Sequence, residues 1–362
     1  MTTRISAVQE PDYLPEYPRI ASWLAKKDEI IASQKPYSLV MSGWFTQEEA
    51  LLIKSHSPDA VLLAGLSINW VWDNPDWMTF LTTVASYGRT PSFAISDDMY
   101  LKNQDGSRCA FGWKSENWGH EEIYAMDTRN PGWIELISSF YRNVLIQPQH
   151  DGIIVDMVLE KSLFPDVISD QEWVESTSKI MEGIEELNTG NKLVIFNSGR
   201  DISEIDAYSR FMDGYVMENF MGEQLLSTFE EGLKAADSGY IVIYAVDTDD
   251  SGEKDLKKMR LGLILSLLND NTYFTYDFGP RDHGQAWWFS EFEADLGKPL
   301  GNYYKDDQAY YREFEKGIVV ASPHSRATIT LDTEFIDLTT GQKSISFVID
   351  EGDGRIFLIT PQ

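Results

Sequence analysis

Cysteine is almost missing from this chain: Cys109 is the sole one in 362 residues. An intrachain disulfide, a CxxC redox pair and a thiolate zinc site are thereby excluded. No His-bearing motif accompanies Cys109, so it reads as a small, semi-buried residue and not as a nucleophile. Histidine is scarce as well. The five (His56, His120, His150, His283, His324) form no HxH or HExxH pattern, which argues against a His-rich metal centre and predicts no cofactor. His56 and His324 read as surface residues and His150 as the lead into a strand. His120 and His283 lie in loops within reach of a substrate, although a plain loop role is the simpler reading. Positive charge is in short supply: 30 Lys and Arg stand against 58 Asp and Glu, a net charge of −28. Phosphate backbones require clustered Lys and Arg, and no such cluster is present, so a nucleic-acid partner is not expected. Long apolar runs are missing too. None approaches the roughly 18 residues of a membrane span, and "TTRISAVQEP" after Met1 has no apolar core. The expectation is a soluble chain with no membrane partner, with a secreted mature form and a cytoplasmic one both open. No strand is followed by a Gly-rich phosphate loop, and no GxSxG elbow is found.

What is abundant is apolar and aromatic: 43% hydrophobic and 13% aromatic residues, with 11 Trp, enough for a large core. Short apolar runs at 37–44, 60–70, 91–98, 151–158, 192–199, 214–220, 240–247 and 272–279 are each followed by an amphipathic segment. Thr46 and Glu49 make a capping box at the first of these. The runs are continuously apolar, as strands covered on both faces must be. Eight such units predict an α/β fold, a (β/α)₈ TIM barrel over residues 37–296, in preference to an open doubly wound sheet. Residues 1–36 read as an N-terminal lead-in segment packed on the barrel. After Gly297, "GIVVASP", "ATITLD", "EFIDLTT", "SISFVID" and "GRIFLIT" alternate between short turns, and predict a sandwich-like antiparallel β domain over 297–362.

Barrel enzymes carry their chemistry on the C-terminal strand ends. Reading those positions gives Trp44, Asn69, Trp70 and Trp72, then Asp97 and Asp98, Asp156, Asn197, Glu218, Asp247, and Tyr276 with Asp277. Acids and amides between aromatic rings suit a sugar, whose hydroxyls need acceptors and whose C–H faces stack on rings. The long loop at 99–131 adds Trp113 and Trp118 as walls of a subsite. Cleaving a glycosidic bond needs two carboxyl groups, and Asp156 and Glu218, each directly after an apolar strand, are the natural pair.

"DGIIVDMV" resembles the strand-4 pattern of a hypothetical glycoside hydrolase family of (β/α)₈ barrels, related to the endo-α-1,4-polygalactosaminidases. The loop "DGSRCAFGW…MDTRNPGW" and the tail segments "YYREFEKGIVVASP" and "GDGRIFLI" are similar to that family as well. The resemblance implies a retaining mechanism, with Asp156 as nucleophile and Glu218 as general acid/base. One residue departs from the pattern: Met157 stands where an Asp or Asn is frequent. The expectation is therefore an endo-acting, metal-free glycosidase of a polysaccharide or oligosaccharide. It requires Asp156 to be ionised by hydrogen bonds, and Glu218 to be protonated through burial and neighbouring carboxylates. Carboxyls about 5–5.5 Å apart would accord with retention, and about 6.5–9.5 Å with inversion. Two other readings fit the same residues. One is a carbohydrate-binding barrel without catalysis. The other is a Mg²⁺-dependent phosphoryl hydrolase built on Asp97, Asp98, Asp156 and Asp247.

Overall fold

The computed structural model describes residues 17–112, 122–190, 192–197, 199, 202–218 and 225–360. In chain order the first ten strands are β1 (Ala21–Ser22), β2 (Leu39–Ser42), β3 (Val61–Ala64), β4 (Trp70–Trp72), β5 (Ile123–Ala125), β6 (Gly152–Val155), β7 (Leu193–Asn197), β8 (Gly214–Met217), β9 (Ile241–Asp247) and β10 (Thr272–Asp277). The helices are α1 (Lys27–Ser33), α2 (Gln47–His56), α3 (Pro75–Ala85), α4 (Pro131–Leu145), α5 (Asp170–Leu187), α6 (Leu225–Asp237) and α7 (Leu256–Ser266). Eight strands form one sheet in the order β1-β2-β3-β6-β7-β8-β9-β10. Ile20, just before β1, bridges Phe274 of β10 in parallel, and the Phe274 N–H donates to the Arg19 carbonyl, so first and last strands meet. The fold is a (β/α)₈ barrel.

Two expectations change. The stretch before Tyr37 supplies β1, which pairs with β2 through Ala21–Leu39 and Ser22–Val40. The run at 91–98 is not a strand. It is mostly exposed and ends in a single 3₁₀ turn, Asp97–Met99, while α3 and α4 both lie between β3 and β6. β4 and β5 form their own antiparallel ladder.

The chain divides into two compact units. One comprises Met41–Leu51 and Val61–Val216. Its centre is β6, where Ile153, Ile154 and Val155 are all at most 1% exposed. Burying each is worth about 1.5–3 kcal/mol, enough to fix the strand and whatever follows it. Helices are stopped and started by side chains. The Thr46–Glu49 capping box forms, as does a second from Ser169 and Glu172 at α5, and Asn130 caps α4 by accepting from two backbone N–H groups.

The other unit comprises Met1–Val40, Leu52–Ala60 and Met217–Gln362. It holds β9, β10 and a six-stranded antiparallel sheet of β11 (Tyr304–Lys305), β12 (Tyr310–Phe314), β13 (Gly317–Ser322), β14 (Ala327–Asp337), β15 (Lys343–Ile349) and β16 (Asp353–Ile359). "ATITLD" and "EFIDL" thus join into the single strand β14, with a register shift between Thr330 and Phe335. Val320, Ala327, Ile349 and Phe357 are at the heart of this sheet's core. Ion pairs fasten α7 to β16: Arg260 donates from Nε and a terminal nitrogen to both oxygens of Asp353 at 2.9 and 3.0 Å, and Arg355 pairs with the same carboxylate. Asp353 is 2% exposed. Replacing it with Asn takes the carboxylate from Arg260 and leaves Arg355 with Asp337 at 3.5 Å, and a loss of about 3–5 kcal/mol is expected. Urea unfolding followed by tryptophan fluorescence checks it; an unchanged midpoint would refute a structural role for the pair.

Candidate active site

Asp156 begins where β6 ends. Its N–H donates to the Leu66 carbonyl at 3.2 Å, and it bridges Ser67 in parallel. Gly65 permits this approach: a Cβ there would lie 1.8 Å from the Ile154 carbonyl oxygen. β6 and β7 run in register with Val155 opposite Phe196, so Asn197 comes next to Asp156. The Asn197 Nδ2 donates to Asp156 Oδ1 at 2.8 Å. Its orientation is fixed because Oδ1 accepts the Gly199 N–H at 3.0 Å. Met157 follows with φ +59°, a left-handed conformation that side chains other than Gly, Asn and Asp rarely adopt. Its carbonyl accepts from Asn69 Nδ2 at 2.7 Å, Ser67 Oγ holds Asn69, and the Val158 N–H donates to the Asn197 carbonyl. The carboxylate therefore sits on backbone pinned from both flanks.

Aromatic rings gather nearby in sequence. Trp70 and Trp72 share one face of β4, with Val71 buried on the other, and both pack on Trp77 from α3. Trp70 and Trp77 stack with centroids 6.1 Å apart and planes 20° apart. Asp97 is an ion-pair hub that accepts from Arg108 and Lys102, and these donors hold its carboxyl below the usual range. Asp98 accepts from Asn130 Nδ2 at 3.3 Å. The structure places Trp44 edge-on against His150, centroids 4.6 Å apart, beside the residues that precede β6 and away from the strand's C-terminal end. Trp113 and Trp118 lie outside the described residues.

In the other unit, β9 and β10 pair so that Asp247 and Asp277 are direct Cα partners. Both are buried, at 3% and 4% exposure, and burial raises the pKa of each. Asp247 accepts the Asp249 N–H at 2.9 Å and has Lys258 Nζ at 3.6 Å. Asp277 has His283 Nδ1 at 3.0 Å from Oδ2, which also accepts the Gly284 N–H at 3.2 Å. The other ring nitrogen, Nε2, lies 2.8 Å from Oε1 of Glu218, the half-buried residue directly after β8. Burial alone would depress the imidazole, but the two carboxylates prevail and carry His283 to about 10. The turn holding His283 is clamped. Gly284, at φ +89°, accepts the Lys26 N–H through its carbonyl, and a Cβ on it would be 2.2 Å from the Leu24 carbonyl oxygen. Trp23 packs against the imidazole with centroids 6.0 Å apart.

The strand-end residues thus form two groups: Asp156 with Asn197, and Glu218 and Asp277 joined through His283 with Asp247 beside them. Tyr276 does not join them. It is buried, its ring packs on Trp287 and Phe289, and its hydroxyl donates to the Asp255 carbonyl at 3.3 Å. Glu218 has an imidazole partner, where the sequence suggested carboxylate neighbours. His283, placed by the sequence in a loop within reach of a substrate, has a role the sequence does not announce, as the partner of Glu218 and Asp277; its signal is an Asp closing a strand and a His six residues on, in "DFGPRDHG". Among the described residues no group of three or more His, Cys, Asp or Glu is gathered to hold an ion, and no helix is long and apolar enough to cross a membrane.

Residues 89–318 match the sequence profile of hypothetical glycosyl hydrolase family 15. The chain belongs to hypothetical glycosyl hydrolase family 15. As a member of this family it is a glycoside hydrolase with a carbohydrate substrate. No curated protein matches it. Among solved structures it is similar to an α-amylase from Malbranchea cinnamomea, with 10% identity and a TM-score of 0.50 over 91% of this chain and 87% of that one. It is also similar to the noncanonic maltogenic α-amylase AmyB from Thermotoga neapolitana, with 9% identity and a TM-score of 0.51 over 94% and 99%. At these identities the likeness is one of fold.

The His283 bridge has a consequence for folding of this family member. A pKa raised from 6.5 to about 10 contributes stability that is fully present below pH 6.5 and lost as pH rises through 10. Urea midpoints between pH 6 and 10 should fall steadily in the wild type. In His283→Gln the fall should be shallower; an identical slope would sink the assignment of this proton.

Proposed function

We propose that this family member is an endo-acting, retaining glycosidase of a polysaccharide, with Asp156 as nucleophile and Glu218 as general acid/base. The observation that carries the reading is the equipment of the two strand-end carboxyls. Asp156 has a neutral amide donor on Oδ1 and stands on rigid backbone, as a nucleophile needs. Glu218 is in hydrogen-bond contact with an imidazole able to exchange a proton with it, as an acid/base needs. In the first step a proton passes to the glycosidic oxygen from Glu218 while Asp156 attacks C1. In the second, Glu218 deprotonates the water that releases the sugar. Trp70 and Trp72 would stack on sugar faces, and Asn197, Asp247, Asp277 and Asp98 would orient the hydroxyls directly or through the groups they hold. Amino-sugar polymers are the first substrates to try, given the resemblance to the polygalactosaminidases. The barrel that runs from β1 to β10 would then be the catalytic part, with residues 297–362 as its β appendage.

The test is reducing-end release from a panel of polysaccharides, including galactosamine- and glucosamine-containing ones. Glu218→Gln and Asp156→Asn should each lose roughly 10²–10⁴-fold in rate while keeping wild-type circular dichroism. Retention requires that the first-formed anomer, read by proton NMR, match the substrate's. A wild type that binds a glycan of the panel but cleaves none, with binding unaltered in both variants, would replace this reading with a carbohydrate-binding barrel.

A further inference from the structure

We propose that His283 is the positioning residue of the acid/base, sharing one proton between its Nε2 and Glu218 Oε1 while Asp277 holds the ring from behind. This rests on Glu218 being the acid/base. The argument starts from what each partner can do. Asp277 Oδ2 faces Nδ1 at 3.0 Å and also takes the Gly284 N–H. A carboxylate oxygen so placed accepts, so Nδ1 carries a hydrogen throughout and the variable proton is the one at Nε2. At 2.8 Å from Glu218 Oε1, that proton can sit on either atom without any heavy atom moving. Proton on nitrogen gives carboxylate–imidazolium–carboxylate. Proton on oxygen gives a neutral imidazole and a Glu218 carboxylic acid, ready to act. The two forms hold equal numbers of protons and differ only in where one lies.

The surroundings favour keeping that proton. From β9, Asp247 adds negative charge beside Asp277, offset in part by Lys258. From the segment after β1, Trp23 covers the ring. Lys26, on that segment, is engaged with Asp282 at 2.8 Å. Burial raises Asp277 and the two acids raise His283, so both shifts indicate a cluster that gives up its proton late.

The cycle balances. As the C1–O bond to the leaving group breaks and the bond from Asp156 to C1 forms, the shared proton leaves Glu218 for the departing oxygen. The cluster is left with a neutral imidazole and a Glu218 carboxylate, the base form required next. As water adds to C1 and the Asp156–C1 bond breaks, the water's proton returns to Glu218 and the shared state is restored.

Two arms test this. In ¹⁵N-histidine NMR, with no substrate, His283 (assigned by loss of its signals in His283→Gln) should titrate well above pH 8. It should titrate lower by at least about one unit in both Glu218→Gln and Asp277→Asn. In kinetics on the panel polysaccharide cleaved fastest, His283→Gln should move the alkaline limb of kcat/KM down by at least about one unit, with Asp277→Asn between it and wild type. A His283 that titrates near 6.5, or a His283→Gln profile lowered uniformly with unmoved limbs, overturns the proposal and leaves a structural role. Failure of the underlying reading looks different. Glu218→Gln would keep full activity, while the NMR arm still reports whether the proton is shared.

Discussion

A carboxylate taken out of water must be given donors, and the strand ends of this molecule are organised by that requirement. An unpaired buried ion costs several kcal/mol, whereas each hydrogen bond to a charged group returns about 1.5–3. One donor is therefore marginal and two suffice. Asp277 has the imidazole and a backbone N–H, and Asp247 has a backbone N–H with Lys258 nearby. Asp353, far along the chain, has two guanidinium groups. Each device also fixes orientation, because the donor is itself held: His283 by the Gly284 turn, Asn197 by the Gly199 N–H. In a chain of net charge −28 the acids are abundant and cheap to place on the surface. The informative ones are those that are buried with a partner.

The barrel was legible wherever a strand was long and covered on both faces. Runs such as "GIIVD", "LVIFN" and "YIVIYAVD" are apolar up to the Asp or Asn that closes them, and β6, β7 and β9 fall on them. β1 was hidden because it is two residues long and its pairing depends on where the chain ends up, not on local pattern. The segment at 91–98 misled for the opposite reason. "PSFAI" has strand-like composition, but Pro91 donates no ladder hydrogen bond and the segment is mostly exposed, with no covered face to bind it to a sheet. In the C-terminal sheet the alternating segments lie on antiparallel strands, and the register shift in β14 interrupts the alternation, which is why one strand looks like two segments in the sequence.

The candidate site shows where reading strand ends stops working. Successive residues of a strand face opposite sides of the sheet, so Tyr276 and Asp277 cannot both face the same way. Asp277 meets His283, and Tyr276 packs among Trp287 and Phe289. Trp44 stands two residues past β2, where the chain has already turned towards His150. His283 was invisible as a partner because its role arises from a turn, clamped by Gly284 and the segment around Leu24, that no spacing rule describes.

Met157 brings these threads together. The resemblance read from the sequence expects Asp or Asn after the strand-4 acid, which invites the idea of a second polar contact with substrate. The backbone suggests another cause. At φ +59° the position is left-handed, the region where Asn and Asp are the best tolerated residues after glycine. The conformation is imposed by its neighbours. Asn69 takes the Met157 carbonyl, and the next N–H is committed to Asn197, the same residue whose amide reaches Asp156. Turning residue 157 out of this conformation would break both bonds and release the carboxylate. Strain of order 1–3 kcal/mol at one residue is thus offset by the hydrogen bonds that aim Asp156. Met157 therefore bears this strain so that both hydrogen bonds can form.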